Sequence, residues 1–529
     1  SAASPPPSPS GRRNGILAVA LGGLAALLRA LFALFGDDRA FPYTVFYEGD
    51  SEAYFLFARA VLGGQLYDNG IPFHPPGFAW FLAGVHTVLG AGAAGATVPF
   101  LAQKIVLGGL VGGGSVALLY VIGCRVFGRT IAVVAAFLAA FHFGLFVLAI
   151  APVADGLFQL LLLAAIALFV GGLDFGARRG AAATLALGLL LGALALTRAE
   201  GMLYAMVLAA FGAVVSWRRA ESPGARGVLS RLRLLAPWAG ALLVAALVVA
   251  PWTIRNAIRL GELETRLGAN LAEPLPRFVP VTLYGRLNLA LANHSAADGT
   301  FSRSALAAQA ETPRLELTNP EHLSWILHGD RLAREWIAAH PGEFARLVGR
   351  KWRLYFGALK LGWTQWNWPG GLTGVRRPVD LFVPDRALGG WLLAPLILVG
   401  AGLAARHSGA ERRLVMLVAL LTAASLGVVA LFFGYARLAL LLLPLWLLLA
   451  AVALTRGAVF VAGRLRGSRS EANDARLAGA AAAVVTLLVA LEAWGAVRGH
   501  RLEASGTTLP GRATLDRDQP IRFRPLPPR

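Results

Sequence analysis

The chain has 529 residues, 57% of them hydrophobic and 15% charged, with a formal net charge of +20. That composition excludes a single soluble globule, because apolar runs of about 20 residues recur and each is long enough to cross a bilayer. One cysteine, Cys124, excludes an internal disulfide or a cysteine metal cluster, and loop-clustered arginines speak for membrane orientation, not for nucleic acid.

Residues 1–14, SAASPPPSPSGRRN, read as a disordered tail. Arg12 and Arg13 before the apolar run 15–35 imitate a secretory signal, but the run is long and GDDRAF is a poor cleavage site, so a retained helix is expected. An acidic loop follows. Asp37, Asp38, Glu48, Asp50, Glu52 and Asp68 face only two bases between positions 36 and 76, and the loop reaches FHPPG and a short apolar segment, GFAWFLAGVHTVLG (77–90). Further spans are expected near 100–123, 130–150, 155–173, 181–197, 200–216 and 236–253. The long loop 254–387 carries helical patterns such as RLAREWIAAHPGEFARLVGRKWRLYF, and Trp352, Trp363, Trp366 and Trp368 with Lys351, Arg353 and Lys360 resemble an interfacial belt. Spans near 388–405, 414–433, 438–455 and 477–497 complete the set, before a Pro/Arg-rich tail at 498–529.

Charge decides the topology. The loops 217–235, with Arg218, Arg219, Arg226, Arg231 and Arg233, and 456–476, with five more arginines, belong on the cytoplasmic side. With eleven spans, Arg12/Arg13, Arg125/Arg129, Arg178/Arg179 and Arg412/Arg413 share that side. Counting 77–90 as a span would put several of them outside, so parity expects that segment to dip into the outer leaflet or lie along it. The expectation is an all-α polytopic membrane protein with about 11 transmembrane helices, a juxtamembrane first outer loop (36–99) and a small helical outer domain (254–387). The N-terminal membrane module is 15–253 and the C-terminal helices 388–497.

The same topology puts scattered polar groups on one outer face. Asp50 opens SEAYFLFARAVL, where it could cap a helix, and helical spacing sets Tyr54 on its face. Asp155 in APVADGLF opens an apolar span, a costly place for an ionisable group. His74 in PFHPPG is aimed by two prolines. Arg198 and Glu200 in LTRAEG could form a local ion pair; Arg255 in PWTIRN could snorkel. Arg437 in FGYARLALLLLPLW offers a planar guanidinium suited to a phosphate. His86 and His142, in apolar context, are expected as packing residues. Asn293-His294-Ser295 is a glycosylation sequon, relevant only in a secretory pathway. The glycines at 108–109 and 112–114 suit close helix packing, and no P-loop, HExxH or GxSxG occurs.

The order GDSEAY, HPPG and RVFGR, with LTRAEG, PWTIRNAIRLGE and the Arg437–Pro444 stretch, resembles the integral-membrane C-type glycosyltransferases over about residues 15–455. More narrowly, it is similar to the bacterial branch related to protein O-mannosyltransferases and the lipid A aminoarabinose transferase. The resemblance implies a GT-C fold in a bacterial inner membrane, and transfer of a polyprenyl-phosphate-linked sugar, with inversion, to a lipid, glycan or protein acceptor at the outer face. It makes the module 15–253 catalytic, Asp50 the catalytic base and Asp155 a second acidic position. His74 matches a basic position before the prolines, and Arg437 falls near one associated with the lipid phosphate. Tyr54, Arg198, Glu200 and Arg255 are further substrate-binding candidates. Ser51 separates Asp50 from Glu52 where the O-mannosyltransferases have an adjacent Asp-Glu pair, which weakens a protein hydroxyl as acceptor. No metal site reads from the sequence, although Asp50, Asp155 and His74 could converge on a divalent ion. The rival readings are a lipid-linked saccharide transporter or flippase and a polysaccharide polymerase or ligase. A transporter usually shows two related halves with polar breaks at mid-membrane; here the polar groups gather at one face and the long outer loop splits the spans seven-plus-four, which disfavours transport.

Overall fold

A computed structural model describes residues 9–35, 50–90, 100–172, 177–220, 228–301, 317–360, 393–407 and 409–465. Among them the chain is helical without strands. A first helix, α1 (Pro9–Phe35), precedes α2 (Asp50–Leu62) and α3 (Gly77–Val88) of the first loop. Next come α4 (Phe100–Leu107) and α5 (Gly114–Val126), joined by a π-helical stretch at Gly108–Gly113. The membrane module continues through α6 (Arg129–Phe141), α7 (Phe143–Ile150), α8 (Ala154–Gly172), α9 (Ala177–Thr197), α10 (Gly201–Ala220) and α11 (Val228–Leu267). An insertion holds α12 (Tyr284–Leu291), α13 (Pro320–Ala339) and α14 (Pro341–Phe356). Last come α15 (Leu393–Arg406), α16 (Ala410–Leu431), α17 (Ala436–Leu440) and α18 (Leu443–Leu465).

Among the described residues seven helices are long and apolar enough to cross a membrane, or eight if the α6–α7 pair, bent by 76° near His142, is one span. They match eight of the eleven expected spans. Two more, near 388–405 and 438–455, correspond to the shorter apolar helices Leu393–Arg406 and Leu443–Val459. The last, 477–497, lies outside the described residues, as do 1–8, 36–49, Trp363, Trp366, Trp368 and the C-terminal tail. The segment at 77–90 folds as a 12-residue helix, α3, too short to span. The expected domain boundary at 253/254 falls inside α11. This 40-residue helix runs through Pro237 and Pro251 and is about 60 Å long at 1.5 Å per residue, so it projects well beyond a bilayer's hydrocarbon.

Helices pack through small residues, as expected where lipid removes the hydrophobic drive between them. A Cβ on Gly22 of α1 would meet the Gly113 carbonyl at 2.9 Å and Ala117 Cβ at 3.1 Å. Gly108 and Gly112 make room for Arg29, a buried arginine that sequence patterning did not single out. Its guanidinium donates to the carbonyls of Ala25 (3.0 Å), Ala140 and Ala139 (both 3.5 Å), serving the end of α6. His86 and His142 are buried as expected, with His86 Nε2 2.7 Å from Gln103 Oε1.

The two ends of the bundle differ in character. One carries arginines: Arg129 donates to Asn14 Oδ1, Arg125 to the Ala167 carbonyl, and Arg456 to both oxygens of Glu411. At the other end the first loop and the insertion come together. Tyr54, Ala58, Tyr67, Phe78 and Leu82 of the loop share an apolar cluster with Leu157, Leu196 and Trp252 of the long helices. Ile71 and Phe73 pack on the insertion's core, in which Leu260, Leu283, Leu287 and Ile326 are joined by Phe433 from beyond α16. Gly77 begins α3 hard against α9: a Cβ there would lie 2.9 Å from the Leu196 carbonyl atoms and from Thr197 Oγ1.

Candidate functional site

Where α2 begins, Asp50 turns its carboxylate to Arg437 of α17, with Oδ2 3.0 Å from Nη2. The residues are 387 positions apart. The Asp50 side chain is 42% exposed and Arg437 27%, so the pair borders open space. Burial alone would push the Asp50 carboxyl up; Arg437 and, next, His74 outweigh it and hold the carboxyl below its usual range. Arg437 lies over the Tyr435 ring, its guanidinium carbon 5.4 Å from the centroid.

A second ion cluster abuts the first. Arg198, in the turn between α9 and α10, reaches Asp155 Oδ1 with Nη1 at 2.6 Å and Glu200 Oε1 with Nε at 2.8 Å. Its turn is tightly packed, for a Cβ on Gly201 would collide with the Leu194 backbone. Burial would lower the Arg198 pKa, but Asp155 and Glu200 raise it overall, so the guanidinium stays charged. Asp155, for which sequence offered no partner, therefore has one on the next helical turn-around, and the local Arg198–Glu200 pair is real but is half of a bridge.

Tyr54 sits between the clusters and feels Asp50, Arg198, Asp155 and Arg437 together. Burial, then Asp50, raises its phenol far above the ordinary value, leaving a neutral hydroxyl. His74 stands in an aromatic box, with ring centroids 5.6 Å from Tyr54, 5.2 Å from Phe57 and 5.3 Å from Tyr284. Its loop is held by Asp68, whose Oδ2 accepts from the amides of Phe73 (2.7 Å) and His74 (3.1 Å). That carboxylate also faces His74 Nδ1 at 3.8 Å. Asp68 adopts φ +53°, a left-handed conformation that Asp tolerates better than most residues.

Arg255 serves this loop. Its guanidinium stacks over Trp252 at 4.6 Å and donates to the Tyr67 carbonyl at 2.9 Å and to Asn256 Oδ1 at 3.2 Å. Neighbouring side chains of α11 grip the insertion: Trp252 Nε1 donates to the Val281 carbonyl, Thr253 to Pro280 and Asn256 to Val279. The amide of Leu283 then donates to the Pro72 carbonyl at 2.8 Å. Asp50, Tyr54, His74, Asp155, Arg198, Glu200 and Arg437 thus form one connected group, with Arg255 behind it. Asp68, Tyr284 and Tyr435 were not found from sequence. Asp68 lies in the acidic loop, but nothing in its spacing tells a turn-forming carboxylate from a solvated one.

Among the described residues no three His, Cys, Asp or Glu side chains gather to hold a metal ion. Asp50 and Asp155, the carboxylates that could have converged on one, each face an arginine. Lys351 and Trp352 divide the expected interfacial belt: Trp352 is exposed, whereas Lys351 is buried. Asn293 of the sequon is buried and both polar atoms of its side chain are engaged.

No family model matches the sequence, and no curated protein matches it. Solved structures do. The oligosaccharyltransferase of Archaeoglobus fulgidus in the apo form aligns at 16% identity and a TM-score of 0.47, over 90% of this chain and 55% of that one. The same archaeal enzyme in complex with an inhibitory peptide and a dolichol-phosphate aligns at 14% identity and a TM-score of 0.45, over 89% and 55%. ArnT from Cupriavidus metallidurans in the apo state aligns at 16% identity and a TM-score of 0.35, over 83% and 78%. The chain spans about 55% of the length of the archaeal oligosaccharyltransferase.

Proposed function

We propose that this chain is a C-type membrane glycosyltransferase that moves a sugar from a polyprenyl-phosphate donor to an acceptor nucleophile, with inversion at the anomeric carbon. The observation that carries the reading is the Asp50–Arg437 pair at 3.0 Å, an acid–base group and a phosphate-binding cation in contact beside a neutral tyrosine and a histidine. Transfer needs one group to accept the nucleophile's proton and another to stabilise the phosphate as it leaves.

The acceptor oxygen bonds to the anomeric carbon, the carbon–oxygen bond to phosphate breaks on the opposite face, and the lipid phosphate departs with the electron pair. Asp50 takes the acceptor's proton. Phosphate is a good leaving group, so it needs charge stabilisation more than protonation, and Arg437 supplies planar donors for it. A carboxylate held below its normal pKa is a poor base; drawing Arg437 toward the phosphate would release Asp50 and restore its basicity when the donor is bound. Tyr54 offers a hydroxyl that stays protonated. Arg198, charge-paired with Asp155 and Glu200, braces the corner beside the pair.

The test is Asp50→Asn in membranes supplied with polyprenyl-phosphate sugars. Losing a positioned general base lowers the rate by ~10²–10⁴, at unchanged protein level. Undiminished transfer would sink the reading.

A further inference from the structure

Arg437 stands six residues beyond the end of α16, so whatever fixes that short connection also fixes the cation beside Asp50. Two buried polar residues of the insertion reach it. Lys351 on α14 is 0% exposed and Asn293, just after α12, is 2% exposed. Lys351 Nζ donates to Asn293 Oδ1 at 3.0 Å and to the Ala430 carbonyl at 3.1 Å. Asn293 Nδ2 donates to the Leu431 carbonyl at 2.7 Å and to Leu289 at 2.8 Å. Ala430 and Leu431 close α16, where backbone carbonyls have no partner within the helix and a cation is favoured by the helix dipole. A lysine–asparagine clamp from the insertion therefore caps a helix of the membrane module.

The connection beyond the cap follows the insertion closely. Gly434 lies so near α14 that a Cβ would collide with the Lys351 backbone, and its amide donates to the Gly299 carbonyl at 2.8 Å. The amide of Phe301 donates to the hydroxyl of Tyr435, whose ring underlies Arg437. Both acceptors of Lys351 are neutral. A lysine without a carboxylate is an expensive cap in a fully covered site, where a hydrophobic residue would pack more cheaply.

We propose that Lys351 is a positioning residue: with Asn293 it clamps the 432–437 connection to the insertion and so sets Arg437 over Asp50. The clamp stands on its own contacts; its consequence for ligand binding rests on the function proposed above.

Hydrogen exchange on the full chain in detergent tests it, with peptides covering 430–440 compared with α13 in the parent, Lys351→Met and Asn293→Leu. Loss of the cap should speed amide exchange across 432–438 about tenfold or more while α13 keeps its protection. Affinity for a polyprenyl phosphate bearing no sugar should fall about tenfold with it. Unchanged exchange across 432–438 in both variants overturns the proposal. So does an equal loss of protection in α13, because the clamp would then hold the insertion as a whole. Faster exchange across 432–438 with unchanged affinity for the probe also overturns it, provided Arg437→Gln weakens that affinity. Should Arg437→Gln leave probe binding intact, the phosphate role of Arg437 fails, while the exchange result still decides the clamp.

Discussion

Arg198 holds two carboxylates at nearly equal distances but under unequal cover. Nη1 stands 2.6 Å from Asp155 and Nε 2.8 Å from Glu200, whereas the Asp155 side chain is 2% exposed and that of Glu200 20%. If Coulomb attraction alone set their worth, the two pairs would differ by roughly a tenth, because the energy falls as inverse distance. Burial predicts a wide gap. Asp155→Asn strands a guanidinium in a covered corner, and breaking a buried pair from one side costs about 3–5 kcal/mol. With Glu200 still on Nε, the lower end, about 3 kcal/mol, is expected. Glu200→Gln removes a partner that water can partly replace, and such pairs contribute about 0–1 kcal/mol. Both substitutions preserve shape, so unfolding in mixed micelles at one ionic strength compares charge alone, and the double variant measures coupling through Arg198. Equal losses from the two single variants would refute the burial argument. An unaffected Asp155→Asn would show that the bridge does not hold the α8 and α9 ends together.

Since Arg437 and His74 hold the Asp50 carboxyl below its usual range against the upward push of burial, the acid limb of kcat/KM should lie below that range and move up in Arg437→Gln; a stationary limb would dissociate the two residues. Burial lowers Lys351 from 10.5 to about 7, so between those values the unfolded chain binds a proton that the folded chain has shed, and stability rises with pH across the window. The stability difference between the parent and Lys351→Met should therefore shift in the parent's favour from pH 7 to 10.5, and a difference independent of pH would contradict it. Gly77→Ala should cost about 1–3 kcal/mol, because its Cβ meets Leu196 backbone at 2.9 Å. Gly84→Ala, on the same helix with nothing within 4 Å, is the control, and equal effects in the two would count against close packing as the cause.

Charge parity makes the polar end of the bundle legible, because each span reverses the chain and the arginine loops fix every other connection. That places the first loop, Asp155, Arg198, Glu200 and Arg437 together, and the structure gathers them there. Pairing is harder, since Asp50 and Arg437 are joined by the fold of nearly the whole chain. The Asp155–Arg198 bridge was closer to hand: one residue opens α8 and the other follows the end of α9, and consecutive antiparallel helices bring such positions level. Arg255 shows the limit of such reading, because a cation at the end of an apolar run looks the same whether it seeks a ligand or, as with the Tyr67 carbonyl, the backbone. Lys351 reads with Trp352 and Arg353 as part of an interfacial belt, and the arginines near it, Arg346, Arg350 and Arg353, are all exposed. Yet Leu347, Lys351 and Tyr355 recur at i, i+4 and i+8, and these are the residues that α14 buries. Spacing narrows the choice without closing it, because Arg350 also stands three residues from Leu347; the cover supplied by Asn293 and the end of α16 is what takes Lys351 inside.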